Sequence, residues 1–389
     1  MVKLNSRTIQ YYLLILYTFF SGVVFFEPSV GDILFIVLLP ILIIHVKFKK
    51  TEFSLLALLL VPALFSFFWG FVKFGFLNFK FVFIDIYLFL LFVFFKVCLD
   101  NFYEYDRNII DTLMKTWLAV AYLNVFTGLF SYATGRFNIM GQSIVGFGIR
   151  LIGFFKDPNV FGPFACVCGL YVFEKFYQSN KNLIFTIFNF GFMSLGVFLS
   201  FSRAAWLNYF AGLLFIVLVY SFKNKNMYKW RTLLLVFLLV FFMVMLIFSD
   251  ITISGISFKE FFKGRLGIKS YDAQRFASQG KSLVMLDMSK IFGIGPGNYE
   301  RITNYSAHNT YLRYMGERGF FGLITGGLLV AFITLRALKI KGKYFFLAAS
   351  LIGLLVNSYF VDTLHWRHLW IVFAMIVSYS YRKEPYGES

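Results

Sequence analysis

The chain has 389 residues, 59% of them hydrophobic and 14% charged, and its 56 phenylalanines exceed what a soluble core of this length can bury, which excludes an ordinary soluble globular protein. A formal net charge of +18, from 37 Lys and Arg against 19 Asp and Glu, raises nucleic acid as a partner. The basic residues are spread through short loops between apolar runs, however, where membrane topology and anionic lipid account for them, so no nucleic-acid partner is expected.

In chain order, Lys3 and Arg7 lead a first apolar stretch that lacks a small-residue cleavage site and reads as a retained signal anchor. A lipid-spanning segment must satisfy its own backbone polar groups, and a helix needs roughly 20 apolar residues to do so across a bilayer. Hydropathy then predicts spans, within about four residues, at 10–26, 31–46, 53–70, 79–98, 111–133, 160–178, 183–200, 204–222, 231–249, 318–338, 343–361 and 366–381. The expected fold is an all-α polytopic membrane protein with about 12 transmembrane helices, forming one membrane domain over residues 1–389. Cys98, Cys166 and Cys168 lie within or at the end of apolar segments and read as small packing residues. Alternate loops carry Lys47 to Lys50, Lys96 with Arg107, Lys175 with Lys181, Lys223 to Arg231, Arg336 to Lys343, and Arg382 with Lys383; this parity predicts that both termini are cytoplasmic. Asp85 falls inside the fourth span and marks either a polar cavity or an interhelical contact.

Two outer loops are long, 134–159 and 250–307. In the second, Asp272 is placed to start a helix, Phe276, Leu283, Val284, Met288 and Ile291 follow at amphipathic spacing, and Gly293 stops it. Such a helix would lie on the membrane surface or roof a cavity, giving the domain an external cap.

Three constellations at the outer ends of spans could carry chemistry. Arg203 sits in the tight turn Leu199-Ser200-Phe201-Ser202-Arg203-Ala204-Ala205-Trp206. An arginine at mid-depth costs about 2.5 to 3.5 kcal/mol and less at the interface, so either a phosphate gripped by the guanidinium fork or simple snorkelling accounts for it. The run Phe155-Lys156-Asp157-Pro158-Asn159-Val160-Phe161-Gly162 opens the sixth span with helix-start chemistry, Pro suiting the first helical position and Asp capping it. Arg150 and Lys156 add two cations there that could hold an anionic head group. Finally, Gly293-Ile294-Gly295-Pro296-Gly297-Asn298 is turn-rich and is followed by His308-Asn309 at a helix start. An imidazole there is placed for proton transfer or for a structural hydrogen bond. Arg313 and Glu317 fall four apart and could pair. Of His45, His308, His365 and His368, no pair with a third ligand has metal-site spacing; neither a metal nor a cofactor is expected, and His365 and His368 flank Trp366 and Arg367 as in an interfacial belt.

Taken together, the order Phe155 to Gly162, Ser200 to Trp206, Arg275 ahead of Gly293 to Asn298, then His308-Asn309, Tyr311-Leu312 and Glu317-Arg318-Gly319 resembles the O-antigen polymerase and O-antigen ligase superfamily. The motif-bearing region covers roughly residues 150–335, and the loop 250–307 would be periplasmic. The resemblance implies a GT-C-type glycosyltransferase of the bacterial inner membrane that takes glycan from undecaprenyl diphosphate at the periplasmic face, with inversion at the anomeric carbon. It implies that Arg203 and Arg275, with Arg150 and Lys156 matching less closely, engage the diphosphate, that His308 serves the acceptor hydroxyl, and that Asp157, Asn159 and Asn309 support them. The partners implied are a lipid-linked donor and acceptor glycan and the bilayer, with a chain-length regulator as a further candidate. The reading is an O-antigen polymerase; the runner-up is a ligase that moves finished polymer to a lipid A core. A transporter or flippase would call for inverted halves, broken helices and mid-membrane charges, and a non-catalytic scaffold would leave Arg203, Arg275 and His308 unexplained.

Overall fold

The computed structural model describes residues 6–45, 48–139, 141–178, 183–223, 251–253, 255–267, 270–340 and 343–382. The span expected at 231–249 lies outside the described residues. The helices are α1 (Ser6–Phe20), α2 (Val30–His45), α3 (Lys50–Phe74), α4 (Phe79–Phe102), α5 (Ile109–Thr134), α6 (Pro158–Gln178), α7 (Leu183–Leu199) and α8 (Arg203–Lys223), then α9 (Phe258–Leu266), α10 (Ser270–Met288), α11 (Tyr299–Thr303), α12 (Thr310–Ala337), α13 (Phe345–Ser358) and α14 (Arg367–Ser380). Six of them, α3, α4, α5, α6, α8 and α12, are long and apolar enough to cross a membrane, and α1, α2, α7 and α13 are shorter apolar helices. The protein is thus a predominantly helical multi-pass membrane protein. Among the described residues the strands are two-residue pairs outside the spans: β1 (Asn138–Ile139) with β2 (Gln142–Ser143), β3 (Val145–Gly146) with β4 (Arg150–Leu151), and β5 (Thr252–Ile253) with β6 (Ile256–Ser257), all antiparallel.

Helix α6 is the hub. It is buried almost all round, in keeping with the apolar and small residues on every face of its middle turns, and touches α5, α7, α8 and α13. Small residues let these backbones approach where lipid offers no hydrophobic drive between helices. A Cβ at Gly169 would meet the Tyr209 hydroxyl at 2.6 Å, and one at Gly353 would meet Asn208 Oδ1 at 2.1 Å.

One end of the bundle is closed by matched charges. Asp111 takes Lys175 at 2.8 Å and Lys343 at 2.5 Å, with the Tyr344 hydroxyl at 2.7 Å. Glu174 accepts from the backbone N–H groups of Phe345 and Phe346 at 2.8 and 3.0 Å, filling the otherwise unmet donors at the start of α13. Lys96 pairs with Glu52 and, at 2.8 Å, with Asp100. Lys96, Lys175 and Lys343, which the loop parity assigns to one side, do lie at one end of the helices.

At the opposite end α12 is broken at Gly319 (φ 61°, ψ −162°). The turn-rich run from Gly293 fills the break: Ile294 N donates to Gly316 O at 3.2 Å, Gly295 N to Glu317 O at 2.9 Å, and Phe320 N and Phe321 N donate to Lys290 O and Ile291 O. These glycines are therefore structural, since a Cβ at Gly293 would strike the Glu317 carbonyl at 2.4 Å. Asp85 meets Arg318 in a fully buried ion pair beside the break, which realises the interhelical contact.

The amphipathic helix forms as α10, but it ends at Met288 and its faces are the reverse of a soluble helix. Phe276, Leu283 and Val284 are exposed, while Asp272, Ser278, Ser282, Met285 and the adjoining Ser289 are buried. The seryl face docks through Ser282 on the Tyr299 hydroxyl at 2.9 Å, and that hydroxyl donates to Ser278 O at 2.6 Å. In a membrane protein an apolar stripe can face lipid, and the protein-facing side can be the small and polar one.

Candidate functional site

Each candidate residue owes its place to a local device. Pro158 opens α6 and Asp157 Oδ1 accepts from Asn159 N at 2.6 Å, so the Asp-Pro-Asn run is a helix cap that also fixes Asn159. Asn159 Oδ1 in turn accepts from Ser202 Oγ and from Arg150 Nη2, both at 2.9 Å. Arg150, in β4, is buried, and its Nε donates to Ser200 O at 2.9 Å. It ties the β3–β4 hairpin to the turn before α8. Lys156 stands at the surface, 3.4 Å from Glu27.

Arg203 is the first residue of α8 and reaches across to the cap, donating to Gly267 O at 3.2 Å and to Asp272 Oδ1 at 2.6 Å. Arg275, one turn along α10, lies 3.9 Å from the same carboxylate oxygen. Arg265, at the end of α9, donates from Nε to Phe201 O at 3.1 Å. Arg203, Arg265, Asp272 and Arg275 line one cavity of about 270 Å³ whose other walls include Asn159, Gln279 and Val361. Three guanidinium groups and one carboxylate leave a cationic recess, the composition that anion binding asks for.

His308 lies on the other side of that wall. Its backbone is left-handed (φ 46°), and its carbonyl accepts from Gln279 Nε2 at 3.2 Å. Asn309 caps α12, its Oδ1 accepting from Leu312 N at 3.0 Å, and its amide donates to Tyr359 O at 3.0 Å. The cap therefore aims His308 and anchors it to the end of α13. His308 lines a second cavity of about 270 Å³ together with Lys156, Asp157, Asn159, Val361 and Asp362. Asn159 and Val361 are common to both cavities. Burial, and after it the Arg275 guanidinium, hold the His308 imidazole down at about 4, while Asp157 and Asp362 push it the other way. It is neutral at physiological pH, the form that can accept a proton. Asp362 is itself kept below the usual carboxylate range: burial would raise it, but Arg313 at 2.7 Å and then His365 outweigh that. Arg313 also pairs with Glu317 at 3.1 Å, as the i,i+4 spacing anticipates.

The two arginines, His308, Asp157 and Asn159, dispersed over 150 positions of sequence, thus come to one end of the bundle. Arg150 and Asn309 stand behind them as braces, and Lys156 stands at the rim. Sequence reasoning did not single out Arg265, Gln279 or Asp362. The signal for Arg265 was faint: it closes the basic stretch Lys259, Lys263, Arg265. His365 lies with its ring centre 5.3 Å from that of Phe81, in a tilted arrangement, and 3.7 Å from Asp362. No group of three or more His, Cys, Asp or Glu placed to hold a metal occurs among the described residues.

The fold and site define a polytopic helical membrane protein with an arginine-lined recess beside a histidine. Residues 188–326 match the family model Wzy_C, described as O-Antigen ligase, and this match supports the O-antigen polymerase and ligase superfamily for this chain, a family of glycosyl-transferring membrane enzymes. The matched stretch contains Arg203, Arg265, Asp272, Arg275 and His308; Arg150, Lys156, Asp157, Asn159 and Asp362 lie outside it. No curated protein matches the chain.

Proposed function

We propose that the chain is a GT-C-type glycosyltransferase of the bacterial inner membrane, with about twelve spans, that joins undecaprenyl-diphosphate-linked repeat units at the periplasmic face as an O-antigen polymerase. The observation that carries this reading is the pair of adjoining cavities, one lined by three arginines and the other by His308, with Asn159 and Val361 between them. In this mechanism Arg203 and Arg275, helped by Arg265, hold the donor diphosphate. His308 accepts the proton of an acceptor hydroxyl as that oxygen attacks the anomeric carbon. The bond from that carbon to the phosphate oxygen breaks, and the electron pair leaves with the lipid diphosphate, whose charge the guanidinium groups stabilise. Attack from the face opposite the leaving group inverts the anomeric centre. No metal is required by this balance.

Polymerase is preferred on the Asp157-Pro158-Asn159 turn, whose Asn159 lines both cavities. A second reading, ligase, is favoured by the matching family, which is described as O-Antigen ligase. A deletion strain separates them: a surface core capped with a single repeat unit indicates polymerase, and loss of every repeat unit indicates ligase. Complementing that strain with His308→Ala should leave protein in the membrane while transfer in isolated membranes falls by roughly a factor of 10² to 10⁴. Full polymer from that variant would remove His308 from the chemistry.

A further inference from the structure

The break in α12 shapes a space of its own. Along a straight helix, at 1.5 Å per residue, Tyr314 and Gly326 would stand about 18 Å apart, yet a Cβ placed on Gly326 would meet the Tyr314 ring at 2.9 Å. The arm before Gly319 is thus folded back toward the arm after it. The elbow encloses a cavity of about 350 Å³, closed on its far side by Leu355 of α13 and by Trp370 and Phe373 of α14. It shares no lining residue with the arginine recess or with the cavity beside His308. Among the described residues no charged group lines it. Its hydroxyl and indole groups are turned away to backbone carbonyls: Tyr311 donates to Leu355 O and Trp370 Nε1 to Leu364 O, both at 2.8 Å, and Ser358 donates to Leu354 O at 2.7 Å. The wall therefore asks a ligand for hydrocarbon alone. Gly327 and Ala331 are exposed on the outside of the bundle and form the mouth, and a Cβ on Gly327 would meet no atom within 4 Å.

An apolar cavity that opens between the spans of a membrane protein meets hydrocarbon and not water. We infer that the elbow of α12 is a lipid site that takes one acyl chain of a membrane phospholipid. The lining of its second arm runs from Leu323 to Ala331, about 12 Å at 1.5 Å per residue, close to the roughly 15 Å of hydrocarbon in one leaflet. The chain enters past Gly327, between α12 and α13, and lies against Trp370 and Phe373. Charge decides against a polyprenyl diphosphate as the occupant. Arg313, next to Tyr314, is engaged by Glu300, Glu317 and Asp362, whereas the partly exposed Arg203 and Arg275 line the recess that begins on α8. A phospholipid needs no cation within the elbow, because its head group stays in the aqueous interface, where the exposed Tyr359 and Phe360 stand at the end of α13. The site rests on the shape of α12 and stands whatever reaction the arginines and His308 serve.

The test places the full-length protein in nanodiscs containing phosphatidylglycerol with a diazirine midway along one acyl chain, irradiates them, and maps the labelled residues by peptide mass spectrometry. Trp370 is the reporter of the elbow, since it is 2% exposed and the lipid surrounding the bundle does not reach it, while Ile324 and Leu328, 60% and 56% exposed, report that surrounding lipid. The wild-type protein should be labelled at all three. Gly327→Phe sets a ring in the mouth and should cut labelling of Trp370 about fivefold or more, with Ile324 and Leu328 within about twofold of wild type. Gly327→Leu, a smaller plug, should act in the same direction and keeps the test intact if the phenylalanine variant does not fold. Wild-type label confined to Ile324 and Leu328, or labelling of Trp370 unchanged by either substitution, would overturn the site. A competition identifies the chain: excess unlabelled phosphatidylglycerol should clear the label from Trp370, and undecaprenyl phosphate at the same mole fraction should not. The reverse result would give the elbow to a polyprenyl chain and overturn the phospholipid assignment.

Discussion

Two arginine-bearing regions adjoin at the same end of the bundle, and they are built on opposite charge ratios. Around the break in α12, Arg313 faces Glu300, Glu317 and Asp362, and Arg318 faces Asp85, so four carboxylates serve two guanidinium groups. In the neighbouring cavity, three arginines share a lining with one carboxylate, Asp272. Arg313 and Arg318 are almost wholly buried, whereas Arg203 and Arg275 are about a third exposed. The contrast separates buried arginines matched by carboxylates from partly exposed arginines that line a cavity, a distinction that side-chain type alone cannot make.

The comparison is broken most forcefully at Asp85. Asp85→Leu should lower the unfolding free energy by about 3–5 kcal/mol, because it strands a charge in a buried site. Arg318 already keeps Nε and Nη1 without hydrogen-bond partners among the described residues, its guanidinium lying 4.2 Å from the Tyr314 ring centre. Adding Arg318→Met to Asp85→Leu should therefore restore most of the lost stability, as measured by thermal unfolding in detergent. If Asp85→Leu alone melts like wild type, the break in α12 does not depend on this pair.

A smaller effect, and one on activity instead of stability, is expected at Arg203. Arg203→Lys keeps the charge but loses the planar fork, and should reduce transfer roughly 10- to 100-fold with little change in melting temperature. Near-normal glycan from that variant would return Arg203 to the snorkelling role and erase the contrast between the two regions.

The mildest test sharpens the field that the cationic cavity casts on its neighbour. Because His308 is held near 4, it is neutral above that pH and becomes charged below it, so the acid limb of kcat/KM should fall near 4 and not near the ordinary histidine value of about 6.5. Arg275→Gln removes one of the two influences that lower it, burial remaining, and should move this limb upward. An acid limb already at 6.5 in wild type, or one indifferent to Arg275→Gln, would show that the arginines do not act on His308.

Much of this was legible beforehand, for reasons that differ from residue to residue. Six of the spans expected from hydropathy coincide with helices long and apolar enough to cross a membrane, and the starts of α6 and α12 follow from Asp157-Pro158 and Asn309, because capping is settled within one turn of chain. Arg203, Arg275 and His308 were readable from the order of motifs. Arg265 was not, since nothing in its spacing separates it from Lys259 and Lys263. What each face of α10 meets was not legible, because periodicity tells which residues share a side but not whether lipid or protein lies against that side.

What the sequence determined by itself, then, is the class of protein, the placing of the described spans and the helix caps, all of them consequences of local composition acting over a few turns. Only the tertiary structure decided that Arg318 is answered by Asp85 across 233 positions, that Asp272 stands between Arg203 and Arg275, and that Asn159 divides two cavities of unlike character. Charge balance depends on distance in space, and distance in space between segments of different helices is a property of their packing, which no single stretch of the chain encodes.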